Sequence, residues 1–200
     1  MERTTIQSHI PYPMEKQWEI KENQERLGSL RFYEQYDLIV SAFAELRQEQ
    51  HIIAKCNYLC CSSCGSYGIG EQASKMSRTR FDKLGGSIYF HRQQHERFME
   101  DGSLMIQFDG SMECEGHSIK GIDGLPTIYH QPKEALGSKM LAKLVIAKLV
   151  SKGFKVSWTG NTNRCIEIIP FGINDYGSKV GHPTFLEGGF VTEAEQVLAQ

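Results

Sequence analysis

Residues 138–152, SKMLAKLVIAKLVSK, constrain this chain more than any other stretch. They contain no proline or glycine and read as a helix, stopped by Gly153 where a left-handed cap is expected. Met140, Leu141, Leu144, Val145, Ile146, Leu149 and Val150 nearly encircle the axis, so covering a single face would leave apolar side chains in water. Such a helix has to lie deep in a core, against a sheet and a second helix, or join a second subunit.

A partner helix is legible at residues 33–50, where Tyr36, Ile39, Val40, Phe43 and Leu46 share one face and Asp37, Ser41, Glu45 and Gln48 the other. Residues 66–76 suit a shorter helix, weakened by Gly68 and Gly70. Strands are signalled by alternation. After Gly85-Gly86, Ile88 and Phe90 face one way and Tyr89 and His91 the other, while Leu104, Ile106 and Phe108 alternate up to Asp109-Gly110. These two strands are expected to be neighbours. Phe154, Val156 and Trp158 alternate in a third, which Thr159-Gly160-Asn161-Thr162-Asn163 turns into a fourth at residues 164–169, making a hairpin. Residues 110–134, with four glycines and two prolines, predict an irregular excursion with a small hairpin near residues 119–128.

Paired strands separated by helices, with few connections of crossover length, predict an α+β domain: a mainly antiparallel sheet with helices packed on one face. That domain is expected over residues 32–170. Residues 1–31, with Pro11, Pro13 and scattered charges, show no sustained apolar period and predict a loosely ordered N-terminal arm. Residues 171–200 predict a glycine-rich extension with a short last helix, started by the capping pair Thr192 and Glu195.

Composition bounds the function. A chain of 200 residues can bury a core without disulfide staples. With 22 basic and 24 acidic side chains and a net charge of −2, a mainly electrostatic nucleic-acid or anionic-membrane surface is not expected. No apolar run approaches the roughly 18 residues of a membrane span, and Met1-Glu2-Arg3-Thr4-Thr5 lacks the apolar core of a signal peptide. The expectation is a cytoplasmic protein. Thiols stay reduced in that compartment, so clustered cysteines point to metal, catalysis or burial before disulfides.

Four of the six cysteines stand within nine residues, Cys56-Asn57-Tyr58-Leu59-Cys60-Cys61-Ser62-Ser63-Cys64. Cys61-x-x-Cys64 is the spacing with which two thiolates grip one zinc ion, and a structural site needs two further ligands. His91 and His95 are the available pair if a helix starts there, because a spacing of four brings both imidazoles to one side. The same thiols read differently if Ser62 or Ser63 caps a helix, since Cys61 and Cys64 would then sit at its positive end with lowered pKa. A nucleophile, Cys60 or Cys61 activated by His91, is a third reading. Plain burial is the fourth, and it is the one preferred for Cys114 and Cys165.

Three other features read more simply. Trp158 fits a strand's core position better than a pocket wall. Lys139, Lys143, Lys148 and Lys152 point to two sides of their helix and suit solvated stems over apolar surface. Gly65, Gly68 and Gly70 approach a phosphate-loop rhythm, but no preceding strand and following lysine complete it.

Asn57-x-x-Cys60-Cys61-x-x-Cys64-Gly65, Tyr89-Phe90-His91-x-Gln93 and Trp158-x-Gly160 after a glycine-ended helix together resemble a group of uncharacterised bacterial proteins known as a domain of unknown function. The resemblance spans about residues 33–170. It implies a bacterial cytosolic origin and marks a site without naming a reaction. His95 stands where that family's acidic residue is expected, so no role for His95 follows, and residues 110–134 form a longer excursion than usual. Motif density and the resemblance together predict that Cys60, Cys61 and Cys64 meet His91 at one corner of the fold. Two functions stay open. One is a binding or interaction module whose cysteine turn, with or without zinc, shapes a surface for a protein partner or a second copy. The other is an enzyme using a thiol or metal-bound water, with Cys61 and His91 as its catalytic candidates.

Overall fold

The computed structural model describes residues 14–118 and 127–170. In chain order these form α1 (Met14–Ser29), α2 (Phe32–Glu49), β1 (Ile53–Lys55), α3 (Ser62–Ser74), α4 (Arg78–Asp82), β2 (Ser87–Tyr89) and α5 (Arg92–Asp101). There follow β3 (Leu104–Asp109), a 3-10 turn (Glu115–His117), α6 (Ser138–Ser151), β4 (Lys155–Ser157) and β5 (Ile166–Ile169). The strands make one sheet in the order β1-β2-β3-β5-β4. β1 and β2 run parallel, because α3 and α4 carry the chain across between them, and every other pairing is antiparallel. The expected α+β class with a mainly antiparallel sheet is the one observed, as are the β2–β3 pair and the β4–β5 hairpin.

The all-round apolar helix resolves as its sequence demands. Leu141, Val145 and Leu149 of α6 are fully buried among Ile106 of β3, Val156 of β4 and Ile39, Phe43 and Leu46 of α2 in one core. Leu144 is only partly buried at the edge of that core, and Met140 is exposed. Where α2 and α6 meet at the surface, the Lys148 and Lys152 ammonium groups reach the Glu45 carboxylate. The bond from Lys152, with a second from Lys148, outweighs partial desolvation and holds the Glu45 carboxyl down at about 2, so this link persists at neutral pH and fades only as pH falls toward that value.

The sheet is covered unequally. Ile88, Leu104, Ile106, Ile166 and Ile168 face α2, α5 and α6. On the opposite face, Ile53 and Tyr89 meet Ile69 and Ala73 of α3 and Phe81 of α4 in a second, smaller cluster. The expected single helical face is thus the larger of two. The crossover between parallel β1 and β2 supplies the cover of the other, since a parallel pair needs it.

Three local differences have physical causes. The expected loose arm holds a helix, α1, whose Leu27 is fully buried and whose Asn23 side chain donates to the Ser151 carbonyl at 3.0 Å. Among the described side chains, Leu27 and Asn23 hold it, with Gln35 donating to the Leu27 carbonyl, and none of these contacts produces a period. Gly153 (φ 97°) permits the contact, because a Cβ there would stand 2.5 Å from the Asn23 carbonyl oxygen. The strand read as 87–91 stops at Tyr89, and His91 becomes the residue before α5, a helix absent from the sequence reading. Phe98 is the one side chain α5 fully buries, too few to write an apolar stripe. Val40, read onto the apolar face of α2, is exposed. The hairpin expected near residues 119–128 and the last helix at Thr192 lie mostly or wholly outside the described residues.

Because Leu149 is fully buried and Leu144 is not, Leu149→Ala is expected to cost about 2–5 kcal/mol and Leu144→Ala clearly less. Urea midpoints of the two variants check this. Equal losses would contradict the placement of α6.

Candidate metal centre

The cysteine segment follows β1 and forms a tight loop entering α3. Two of its residues, Asn57 (φ 49°) and Leu59 (φ 56°), take left-handed backbone that costs a non-glycine residue energy. Backbone bonds to the next strand hold them there. The Tyr58 N–H donates to the Phe90 carbonyl at 2.9 Å, and the Arg92 N–H donates to the Leu59 carbonyl at 2.9 Å. The loop is therefore laced to the stretch that contains His91.

That lacing turns the chain sharply enough to gather three sulfurs. Cys60 Sγ lies 3.7 Å from Cys61 Sγ and 3.4 Å from Cys64 Sγ. The three sulfurs lie within 4.8 Å of one another, the spread a single metal ion could bridge. Cys60 and Cys64 are exposed and Cys61 half-buried. Neither Ser62 nor Ser63 caps α3; Cys61 itself stands at the N-cap in extended conformation. No cap hydrogen bond closes, yet the Cys64 N–H still directs positive charge at Cys61 Sγ. With the neighbouring thiols it pulls the Cys61 pKa below the ordinary thiol value. Cys61 therefore loses its proton more readily than Cys64, whose thiol neighbours push it up to about 11.

α3 can stand this close to the sheet because it lacks side chains where it touches. A Cβ on Gly65 would lie 2.3 Å from the Tyr89 ring, and one on Gly68 would lie 2.6 Å from the Tyr58 hydroxyl. Tyr89 closes the contact with its phenol, which donates to the Ser62 carbonyl at 2.9 Å, meets the Ser66 hydroxyl at 2.7 Å and touches the Gln107 side chain. Of the glycines that approached a phosphate-loop rhythm, Gly65 and Gly68 serve this packing instead, while a Cβ on Gly70 would meet open space.

The other sequence candidates are placed as follows. The His91 ring is buried, 7% exposed, with Nδ1 lacking a hydrogen-bond partner among the described residues. Burial lowers its pKa and keeps the ring neutral at pH 7. Its backbone runs beside the cysteine loop, but among the described residues the mutually close ligand atoms are the sulfurs of Cys60, Cys61 and Cys64 alone. His95 packs edge-on against the Tyr36 ring, centroids 4.7 Å apart. Cys56 stands apart from the trio against the main core, and burial pushes its thiol up to about 12. Cys114 is buried and donates to the Gly70 carbonyl at 3.2 Å, while Cys165 is half-buried with a raised pKa. Trp158 is a core residue, its indole N–H shared between the Asn161 and Arg164 carbonyls. Sequence reasoning passed over Tyr89 and Gly65 as the pieces that seat the site, because their contact joins a strand to a helix 24 residues earlier. Only the Cys64-Gly65 juxtaposition hints at it.

The thiols should differ sharply in reactivity. On brief iodoacetamide treatment of the reduced, metal-free protein near neutral pH, Cys61 is expected to alkylate ahead of Cys64, and Cys56 last of all. Peptide mass spectrometry gives the order. Modification of Cys56 before Cys61 would contradict the geometry.

Residues 14–173 match the family described as Domain of unknown function (DUF6891). No curated protein and no solved structure matches the chain.

Proposed function

The chain belongs to that family, whose description carries no activity, and we propose from the sulfur geometry that it is a metal-binding module. In this reading Cys60, Cys61 and Cys64 hold one zinc ion. The observation that carries it is the pair of sulfur separations, 3.4 and 3.7 Å. Sulfurs about 2.3 Å from a tetrahedral zinc stand about 3.8 Å apart, so little movement is needed to seat the ion. Thiolates are soft donors suited to zinc and unsuited to magnesium or calcium. The site is at the surface, and three protein ligands leave a fourth position open. A closed structural zinc has four. A donor from a protein partner, from a second copy of the chain or from a small ligand would complete it. His91 is an internal alternative: its buried Nδ1 has no partner among the described residues, and the backbone on either side of it is tied to the loop. A reducing, cytoplasmic setting would keep the three thiols available.

One observation favours a second reading, an enzyme that uses Cys61 as nucleophile with His91 or metal-bound water beside it. It is the lowered pKa of Cys61 at the start of α3. The two readings part on zinc. In the first, stoichiometric zinc suppresses alkylation of Cys61, and in the second Cys61 stays reactive when zinc is supplied.

Titrating untagged, reduced protein with Co²⁺ as a spectroscopic stand-in should give thiolate-to-cobalt charge-transfer absorption that saturates at one ion per chain. Cys60→Ser, Cys61→Ser and Cys64→Ser are each expected to weaken binding by more than the roughly 10- to 100-fold typical of losing a supporting residue. Cys56→Ser and Cys165→Ser should leave it unchanged. A tenfold loss in His91→Ala would assign the fourth position to that ring, and no change would leave it to an external donor. Absorption that survives loss of all three cysteines would defeat the proposal.

A further inference from the structure

A second feature lies on the far side of β1 and is independent of the thiols. Among the described residues β1 is an edge strand, paired only with β2. The Ile53 N–H and Lys55 carbonyl bond toward β2, so alternation turns the Ala54 N–H and carbonyl outward. A cavity of about 390 Å³ runs along this open edge, within the size range of small-molecule sites. Arg47 and His51 line it from the end of α2, Lys55 from the strand, and Arg80 and Lys83 from α4 and its cap. Among the described residues, no aspartate or glutamate lines it. In a chain with more acidic than Lys and Arg side chains, four of these cations and a histidine around one cavity, with no carboxylate among the described residues lining it, is a marked local segregation.

These charges are not consumed elsewhere. Among the described residues, the side chains of Arg47, Arg80 and Lys83 take part in no salt bridge, while the Lys55 ammonium sits 5.5 Å above the Tyr58 ring. Protection of a bare strand edge by charge accounts for Lys55, which is on the edge. It does not account for Arg47, Arg80 and Lys83, which come from two helical segments and converge on the same hollow. Bringing them together costs like-charge repulsion that a bound anion would relieve. His51 is also held in left-handed backbone, at φ 51°.

We propose that this cleft binds a small phosphorylated molecule with an apolar body. Two guanidinium forks suit phosphate oxygens bidentately, and the two ammonium groups add point charge. The outward Ala54 N–H supplies a fixed backbone donor. Ile53, Met76 and Leu84 add apolar lining beside the basic groups, and the cavity is larger than phosphate alone requires, so part of the ligand lies beyond its charged group. The ligand is thus of the kind represented by a nucleoside phosphate.

Two probes test this on the full chain at fixed ionic strength, ADP and inorganic pyrophosphate, followed by backbone amide NMR. The expected result is saturable shifts from both, confined to residues 47–55 and 72–84, with ADP the tighter. Arg47→Gln combined with Arg80→Gln should weaken ADP at least about tenfold while the remaining spectrum is retained. Arg97→Gln, on α5 and paired with Asp101 and Glu167, should bind as the native chain does. Should the double variant fail to fold, Arg80→Lys provides the same test, since it keeps the charge and loses the fork. Shifts that never saturate, equal affinity in the native and substituted chains, or a response to a poly-glutamate peptide with none to ADP would overturn the proposal.

Discussion

The distance between α3 and β2 governs the chemically active side of this molecule, and that distance is set by the side chain Gly65 does not have. With hydrogen in place of a methyl group, the helix backbone rests on the Tyr89 ring, and the phenol reaches past it to the first residue of the helix. The start of α3 is thereby held against a sheet that is itself fixed by a large core on its other face. The phenol's bonds to Ser62 and Ser66 hold the ring in this contact. The loop before α3 can then carry two residues in left-handed backbone, since the surroundings leave it no easier path.

Much of the architecture was legible because it follows from burial repeated along the chain. α6, α2 and the alternating strands bury several side chains at fixed intervals, and each wrote a period that could be read. What escaped was held by scattered contacts between distant segments. Leu27 and Asn23 tie α1, Phe98 and the His95–Tyr36 contact tie α5, and a bond from Arg92 to a loop more than thirty positions earlier fixes the end of β2. Such contacts leave no period. The turn at His91 was hidden because the alternation of Ile88, Tyr89 and Phe90 before it suggested a strand running on to His91.

The thiol cluster was equally visible as a density of one residue type, but its partition was not legible from spacing alone, and grouping Cys60 with Cys61 and Cys64 rested on motif density and the family resemblance. Spacing separates Cys61-x-x-Cys64 from its neighbours but cannot say that Cys60 points with that pair while Cys56 turns into the core. That division depends on the left-handed residues Asn57 and Leu59, a conformation that leucine in particular does not advertise. The basic cleft was less visible still. Its charges are scattered over residues 47–83 in a chain of nearly balanced composition, and the crossover topology is what assembles them.

The three close sulfurs belong to only five consecutive residues. Ligands so near in sequence need almost no loop closure to converge, so an unfolded or newly made chain would keep a good part of their affinity. An ion bound by both folded and denatured ensembles shifts the equilibrium between them only by the difference in affinity. Metal at this position would therefore be acquired early and would add little to global stability. The fold's contribution would be to present an already loaded ion, its free position turned outward.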